Sequence, residues 1–202
     1  MTTTDNAKDI EHFNRWSRTY DASWVQRYTD RFHPEMLTVV ANEINAPKAV
    51  LDVGCGTGKL LDKVHALWPS AQLLGVDPAE GMVEVARSRL PSATIYLAAA
   101  ESLPLADSSV DVVLSSISFH HWSDQLGALK EIRRVLRAGG CFCLADISAP
   151  SWLAKLLRHS KVKSLATTSQ FFDEAGFTVK VQHRTFTRFV FLTLGVKESR
   201  KV

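Results

Sequence analysis

The stretch Val50-Leu51-Asp52-Val53-Gly54-Cys55-Gly56-Thr57-Gly58 decides the fold. A short apolar run beginning at Ala49 delivers the chain into three alternating glycines, and helical spacing follows at once over 58–68 until Pro69 stops it. Glycine takes tight, positive-φ turns and lets the backbone approach a ligand with no Cβ in the way. The next apolar run, 72–77, ends in Asp77, 19 residues after Gly58. An acid at the end of a second strand can accept hydrogen bonds from ribose hydroxyls. In open α/β sheets ligands bind beyond the carboxyl ends of the strands. The glycine turn and Asp77 therefore mark one end of the sheet as the candidate ligand site.

The same rhythm continues outward. Residues 78–90 read as a helix with Pro78 in its first turn and Pro91 beyond its end. Runs 93–99, 110–118 and 141–147 read as strands. Between the last two, 124–137 is amphipathic, with Asp124 as N-cap and Gly139-Gly140 as the stop. Near-continuous apolar strands alternating with helices argue an α/β, doubly wound, mostly parallel sheet. Residues 151–165 and 169–176 look helical, and 177–189 with 190–197 read as two strands in an antiparallel edge hairpin. Residues 1–8 are polar and expected to fray, and 9–45 are expected to be helical. Phe13, Trp16, Tyr20 and Trp24 share one helical face there, either packed on a core or covering a ligand. No repeat or linker interrupts the chain, so one domain is expected. It comprises a helical cap (1–45), a core (48–147), and C-terminal helices with a hairpin (148–202).

Composition narrows the class. The 202 residues are 46% hydrophobic and 22% charged, an ordinary globular balance. A net charge of +3 and a pI near 8.8 fall short of the basic stripe of a nucleic-acid binder. Three cysteines do not suggest a disulfide framework and fit a reducing, cytoplasmic setting. Cys141 and Cys143 share a strand face as small hydrophobes, and no metal-binding CxxC spacing exists. The N-terminus does not read as a signal peptide, and no apolar run reaches the ~20 residues that span a bilayer.

The glycine spacing is G-x-G-x-G. Dinucleotide oxidoreductases use G-x-G-x-x-G, which frees helix-start amides for a pyrophosphate. A nucleoside without phosphate needs only close backbone. Together with the segments GVD, ESLPLADSSVDVVLS and ALKEIRRVLRAGG, the stretch resembles the class I methyltransferases that use S-adenosylmethionine (SAM). The resemblance is to the small-molecule, type 11 branch that includes ubiquinone and menaquinone biosynthesis enzymes, and it covers roughly 10–147. It implies a Rossmann-like sheet of about seven strands with an antiparallel last strand, SAM as cofactor and S-adenosylhomocysteine as product. By position, Asp52, Gly54, Cys55, Gly56 and Gly58 would surround the methionine part. Asp77, with Pro78 beside it, would hold the ribose, and Ala99, Ala100 and Glu101 would border the adenine. Ser115 and Ser116 would face the methionine part and the acceptor, and Tyr20 with Trp16 would close over the cofactor. One position departs. The family wording Gly-Asp-Ala-Glu-x-Leu-Pro stands here as Ala98-Ala99-Ala100-Glu101-Ser102-Leu103-Pro104, so Ala99 replaces the adenine-binding Asp. Backbone groups can still read the adenine edge, at a loss on the order of 1 kcal/mol. A non-catalytic SAM-binding protein is the alternative this departure raises.

Methyl transfer from a sulfonium is an in-line displacement, so the enzyme mainly positions the acceptor and excludes water. Oxygen and nitrogen acceptors also call for a base. His120 and His121 are the base candidates after the fourth strand, though one of them could simply pack or cap a turn. Asp146 closes the fifth strand toward the same cleft, as a participant or as a structural hydrogen-bond acceptor. Cys55 reads as a small residue fitting the turn rather than a nucleophile. Ser115-Ser116-Ile117-Ser118 stands where amino-methylating nucleic-acid enzymes carry Asn/Asp-Pro-Pro-aromatic, which argues against DNA and RNA and for a small organic acceptor. Trp152, Leu153, Leu156 and Leu157 form a stripe beside Lys155 and Arg158. It either covers the sheet or lies on a membrane surface, and the second case would favour a lipid-like, quinone-type acceptor. The oligomeric state is left open.

Overall fold

The computed structural model describes residues 3–148, 162–186 and 189–199. Its strands are β1 (Ala49–Val53), β2 (Gln72–Asp77), β3 (Thr94–Leu97), β4 (Val110–Ser116), β5 (Leu136–Ile147), β6 (Thr178–Arg184) and β7 (Val190–Val196). They form one seven-stranded sheet in the order β3-β2-β1-β4-β5-β7-β6. The pairs among β1 to β5 are parallel, whereas β7 runs antiparallel to both β5 and β6. The strand order reverses between β1 and β4, which opens the crevice where such sheets bind ligands.

The helices are α1 (Thr3–Trp16), α2 (Trp24–Glu43), α3 (Lys59–Leu67), α4 (Glu80–Arg89), α5 (Gln125–Val135) and α6 (Leu165–Glu174). Alternation along each strand feeds two cores. Val50, Val112, Cys141 and Cys143 point to α2, α3 and α4, meeting Phe32, Met36, Leu61, Val64 and Ala86. Leu51, Val53, Val113 and Phe142 point to α5 and α6, meeting Leu129, Ile132 and Phe172. Each wholly buried Val, Leu, Ile, Phe or Met among them contributes about 1.5–3 kcal/mol. Burial on both faces is why these strands show no polar alternation.

The expected single helix over 9–45 is instead two. Helix α1 already starts at Thr3, inside the stretch expected to fray. It ends where the Ser17 hydroxyl turns back to the Asn14 carbonyl. A 3-10 turn (Tyr20–Ala22) follows, and the Ser23 hydroxyl accepts from the Gln26 amide to cap α2. After the break Trp24 is 71% exposed, yet it still borders the same space as Phe13, Trp16 and Tyr20. Pro34 inside α2 cannot donate to the Asp30 carbonyl, and the Lys63 ammonium reaches that carbonyl instead at 3.4 Å. Gly139-Gly140 do not stop a helix. Helix α5 ends at Val135, and the glycines lie in an irregular part of β5, tied to Lys197 through two backbone bonds of 2.7 and 2.9 Å. Strand β4 stops at Ser116 because Ile117 has φ +52. The stretch expected as a helix over 151–165, with its basic apolar stripe, lies almost wholly outside the described residues. Among those residues no helix is long and apolar enough to cross a membrane.

Candidate functional site

The turn after β1 is anchored from behind. The amides of Gly54 and Cys55 both donate to the Val76 carbonyl of β2, at 2.8 and 3.0 Å. Gly54, Gly56 and Gly58 hold φ of +76, +52 and +81. A Cβ on Gly54 would collide with the Ser118 side chain, and one on Gly56 would stand in open space. Gly56 thus leaves its Cβ volume to the cleft. Gly58 lines no cleft. It starts α3 against Ala86, where a Cβ would come within 3.3 Å.

Two buried carboxylates face this turn. Asp77 is gripped by backbone, with Oδ2 accepting from the Gly56 amide and Oδ1 from the Ala79 amide, both at 2.9 Å. Burial nevertheless raises its pKa to about 6, against the pull of those two amides. Asp52 is 2% exposed, and its Oδ1 has no hydrogen-bond partner. Burial, then the negative charge of Asp77, raises Asp52 to about 8. The same burial pushes the Cys55 thiol well above its usual range, which fits a residue that fills the turn. Tyr20 is raised to about 12 by burial and by the charges of Asp77 and Asp21.

The cleft running from this turn is lined by Gly54, Gly56, Asp77, Pro78, Ala99, Ala100, Glu101 and Ser116, with Tyr20 over them. Of the expected cofactor residues, Asp52 and Cys55 border only a recess behind the turn, Gly58 borders neither space, and Ser115 also stands apart. It is wholly buried and bonded to the Ser118 hydroxyl at 2.7 Å, because adjacent strand residues face opposite ways. The sequence reading missed Asp9 and Ile10 of α1 and Met82 of α4, which also line the cleft. Helix α1 is fastened over it by the Gly81 amide donating to Asn14 Oδ1 at 3.0 Å and, just beyond its end, by the Asp21–Arg89 ion pair. A smaller polar recess lies behind the turn, where Gln26, Thr29 and His33 of α2 meet Asp52 and Ser116.

At the other end stand the histidines. Asp146, 1% exposed at the end of β5, accepts from the His120 amide through Oδ2 at 2.8 Å, and its Oδ1 lies 2.7 Å from His120 Nδ1. His121 Nδ1 lies 3.1 Å from Asp9 Oδ2. Burial, then the neighbouring His120, lowers the His121 pKa. Both imidazoles border a chamber of about 530 Å³ walled by Phe13, Trp16, Tyr20 and Ile117. The aromatic wall is continuous: Trp16 meets Tyr20 edge-on at 4.9 Å, and Phe13 meets His121 at 5.2 Å. Trp16 borders this chamber and not the cleft, while Tyr20 borders both.

A glycine turn at a switch point, an acid ending β2 and an antiparallel β7 define one class of protein. The fold is that of the class I SAM-dependent methyltransferases. Residues 51–144 match the family described as a methyltransferase domain. The malonyl-[acyl-carrier protein] O-methyltransferase of Methylococcus capsulatus is 43% identical over 157 residues, covering 70% of this chain and 56% of that protein. The chain spans about half the length of the curated relatives it matches. Among solved structures, a chain from the complex of the Haloferax volcanii Trm112 methyltransferase activator with a methyltransferase superposes with TM-score 0.75. It is 21% identical, over 93% of this chain and 98% of that one. A SAM-dependent methyltransferase from Aquifex aeolicus gives TM-score 0.68 at 20% identity, over 86% and 96%.

Proposed function

We propose that the chain transfers the methyl group of SAM to a small organic acceptor, with His120 as the base. The observation that carries this is the continuity of the cleft with the aromatic chamber, which share Asp9, Phe13, Tyr20, Ile117 and His121. A cofactor lying on the glycine turn would thus point toward an acceptor beside His120. The residues present suit that cofactor. Gly56 leaves backbone open to the cleft, and the orphaned Oδ1 of Asp52 asks for a cationic donor such as the methionine ammonium. Asp77 keeps lone pairs for ribose hydroxyls beyond the two amides it accepts. Ala98, Ala99 and Ala100 border the adenine end with backbone groups and small side chains.

When bound, SAM supplies an electrophilic methyl on a positively charged sulfur. The chain's part is to hold the acceptor in line, exclude water and take its proton. Asp146 fixes the His120 ring through Nδ1, so that Nε2 is the basic nitrogen, and it stabilises the imidazolium formed. The Methylococcus relative is named for O-methyl transfer to malonyl-[acyl-carrier protein].

Calorimetric titration with SAM, S-adenosylhomocysteine and NAD tests the cofactor. Micromolar affinity for the first two, about −8 kcal/mol, with none for NAD, is expected. Absence of both would overturn the reading. Asp77→Ala is expected to weaken S-adenosylhomocysteine about tenfold, or ~1.4 kcal/mol, through lost ribose bonds. Because ribose hydroxyls bind the carboxylate, wild-type affinity should fall as pH drops below about 6 and Asp77 takes a proton. The variant should keep only the part of the pH dependence that begins near pH 8, where Asp52 titrates. An unchanged Kd in a variant with native circular dichroism would remove the ribose role.

A further inference from the structure

We propose that His33, oriented by Lys63, makes the Ser116 hydroxyl a dedicated donor to the carboxylate of the cofactor's amino-acid end. This rests on the SAM reading above and adds a subsite to it. The argument starts from a hydrogen-bonded chain across three elements. Asp30 of α2 accepts from the Lys63 ammonium of α3 at 2.7 Å. The same ammonium lies 3.4 Å from His33 Nδ1. His33 Nε2 lies 3.0 Å from Ser116 Oγ at the end of β4.

The direction of each bond follows from the donors. An ammonium has three donors and no acceptor. His33 Nδ1 must therefore accept, which puts the imidazole proton on Nε2. Nε2–H then donates to Ser116 Oγ. The opposite tautomer would set an N–H against the ammonium. A doubly protonated ring would do the same and add charge repulsion. Burial, then the Lys63 charge, holds His33 neutral with a pKa near 3. With its oxygen already accepting from His33, Ser116 retains its own proton to donate.

Ser116 borders both the cleft and the polar recess, and Asp52 borders the recess too. One recess thus holds an orphaned carboxylate oxygen and a hydroxyl donor polarised by a cation two bonds away. A free amino acid end, with ammonium and carboxylate on one carbon, has this pair of charges. The ammonium pairs with Asp52, and the carboxylate accepts from Ser116. His33 and Lys63 are positioning residues, acting through Ser116.

The test compares S-adenosylhomocysteine with its decarboxylated analogue, which keeps the amine. Wild-type protein should bind the analogue at least tenfold more weakly. In Ser116→Ala and His33→Phe that gap should shrink below threefold, because only the carboxylate-bearing ligand loses a contact. Lys63→Met, which leaves both partners in place but frees the His33 tautomer, should narrow the gap by about half on a logarithmic scale. Equal weakening of both ligands in the variants would assign His33 to structure alone and overturn the proposal. So would an undiminished gap in folded variants, or no gap in the wild type. Failure of the wild type to bind either ligand would instead overturn the SAM reading, and this proposal with it.

Discussion

Replacing His120 with alanine is expected to lower kcat by on the order of 10²–10⁴-fold while leaving the affinity for S-adenosylhomocysteine within threefold. The contrast follows from where the ring stands. His120 borders the aromatic chamber and is absent from the lining of the cofactor cleft. Its ring is held by a carboxylate with no room to move, since Asp146 is buried and spends its oxygens on the His120 amide, the His120 ring and the Ile147 amide. Asp146→Asn keeps the shape and changes the tautomer. An amide NH₂ facing Nδ1 would force the proton onto Nε2, where a base needs its lone pair. That variant should lose a large part of the His120 effect, also without a change in cofactor affinity. His121→Ala, whose ring leans on Asp9 and Phe13, should affect acceptor KM more than kcat. The assay is transfer of labelled methyl to an acceptor found by screening small molecules, with Kd measured separately. A His120→Ala enzyme with wild-type kcat would remove the base.

Much of this arrangement was legible in the sequence, for identifiable reasons. Apolar runs punctuated by glycine and proline gave the parallel strands, because strands buried on both faces must be apolar throughout. The glycine turn was legible because a positive φ at Gly54, Gly56 and Gly58 excludes most other residues. The same double burial hid which of Ser115 and Ser116 faces the cleft, since no alternation marks the pleat. Helical periodicity ran unbroken through Tyr20 and concealed the turn that ends α1, although Ser23 carried a readable cap signal. His33 and Gln26 looked like an ordinary polar helix face. They reach the site only because α2 crosses the end of β4, 83 residues away in sequence at the His33–Ser116 contact. Distance of that kind leaves no local trace.

Asp52→Asn is expected to move stability and affinity in opposite directions. In the free protein Asp52 is a buried acid with an orphaned oxygen, beside a second carboxylate. Its folded pKa, about 8, lies above the ordinary value of 3.8. The native state therefore binds this proton more tightly than the unfolded chain does. The stability this contributes is complete below about pH 4 and is lost as pH rises through 8. Asparagine carries no such pH-dependent loss, so the variant should gain stability over wild type across that window, reaching ~1–3 kcal/mol near pH 8. The same change removes the partner of the methionine ammonium. Breaking a buried ionic contact of this kind costs ~3 kcal/mol, so S-adenosylhomocysteine should bind on the order of 10²-fold more weakly. The wild type must also release a proton when it takes up the ligand. With Asp52 mostly protonated at pH 7 and ionised against an ammonium, binding should release close to one proton, read by calorimetry in buffers of different ionisation enthalpy. The variant should release much less. Damage to the fold would lower Tm and affinity together. A higher Tm without ligand, a smaller shift with it and a lost proton release can arise only if Asp52 is kept in this strained state for the cofactor's charge. A variant that binds normally and releases the same proton would end that assignment.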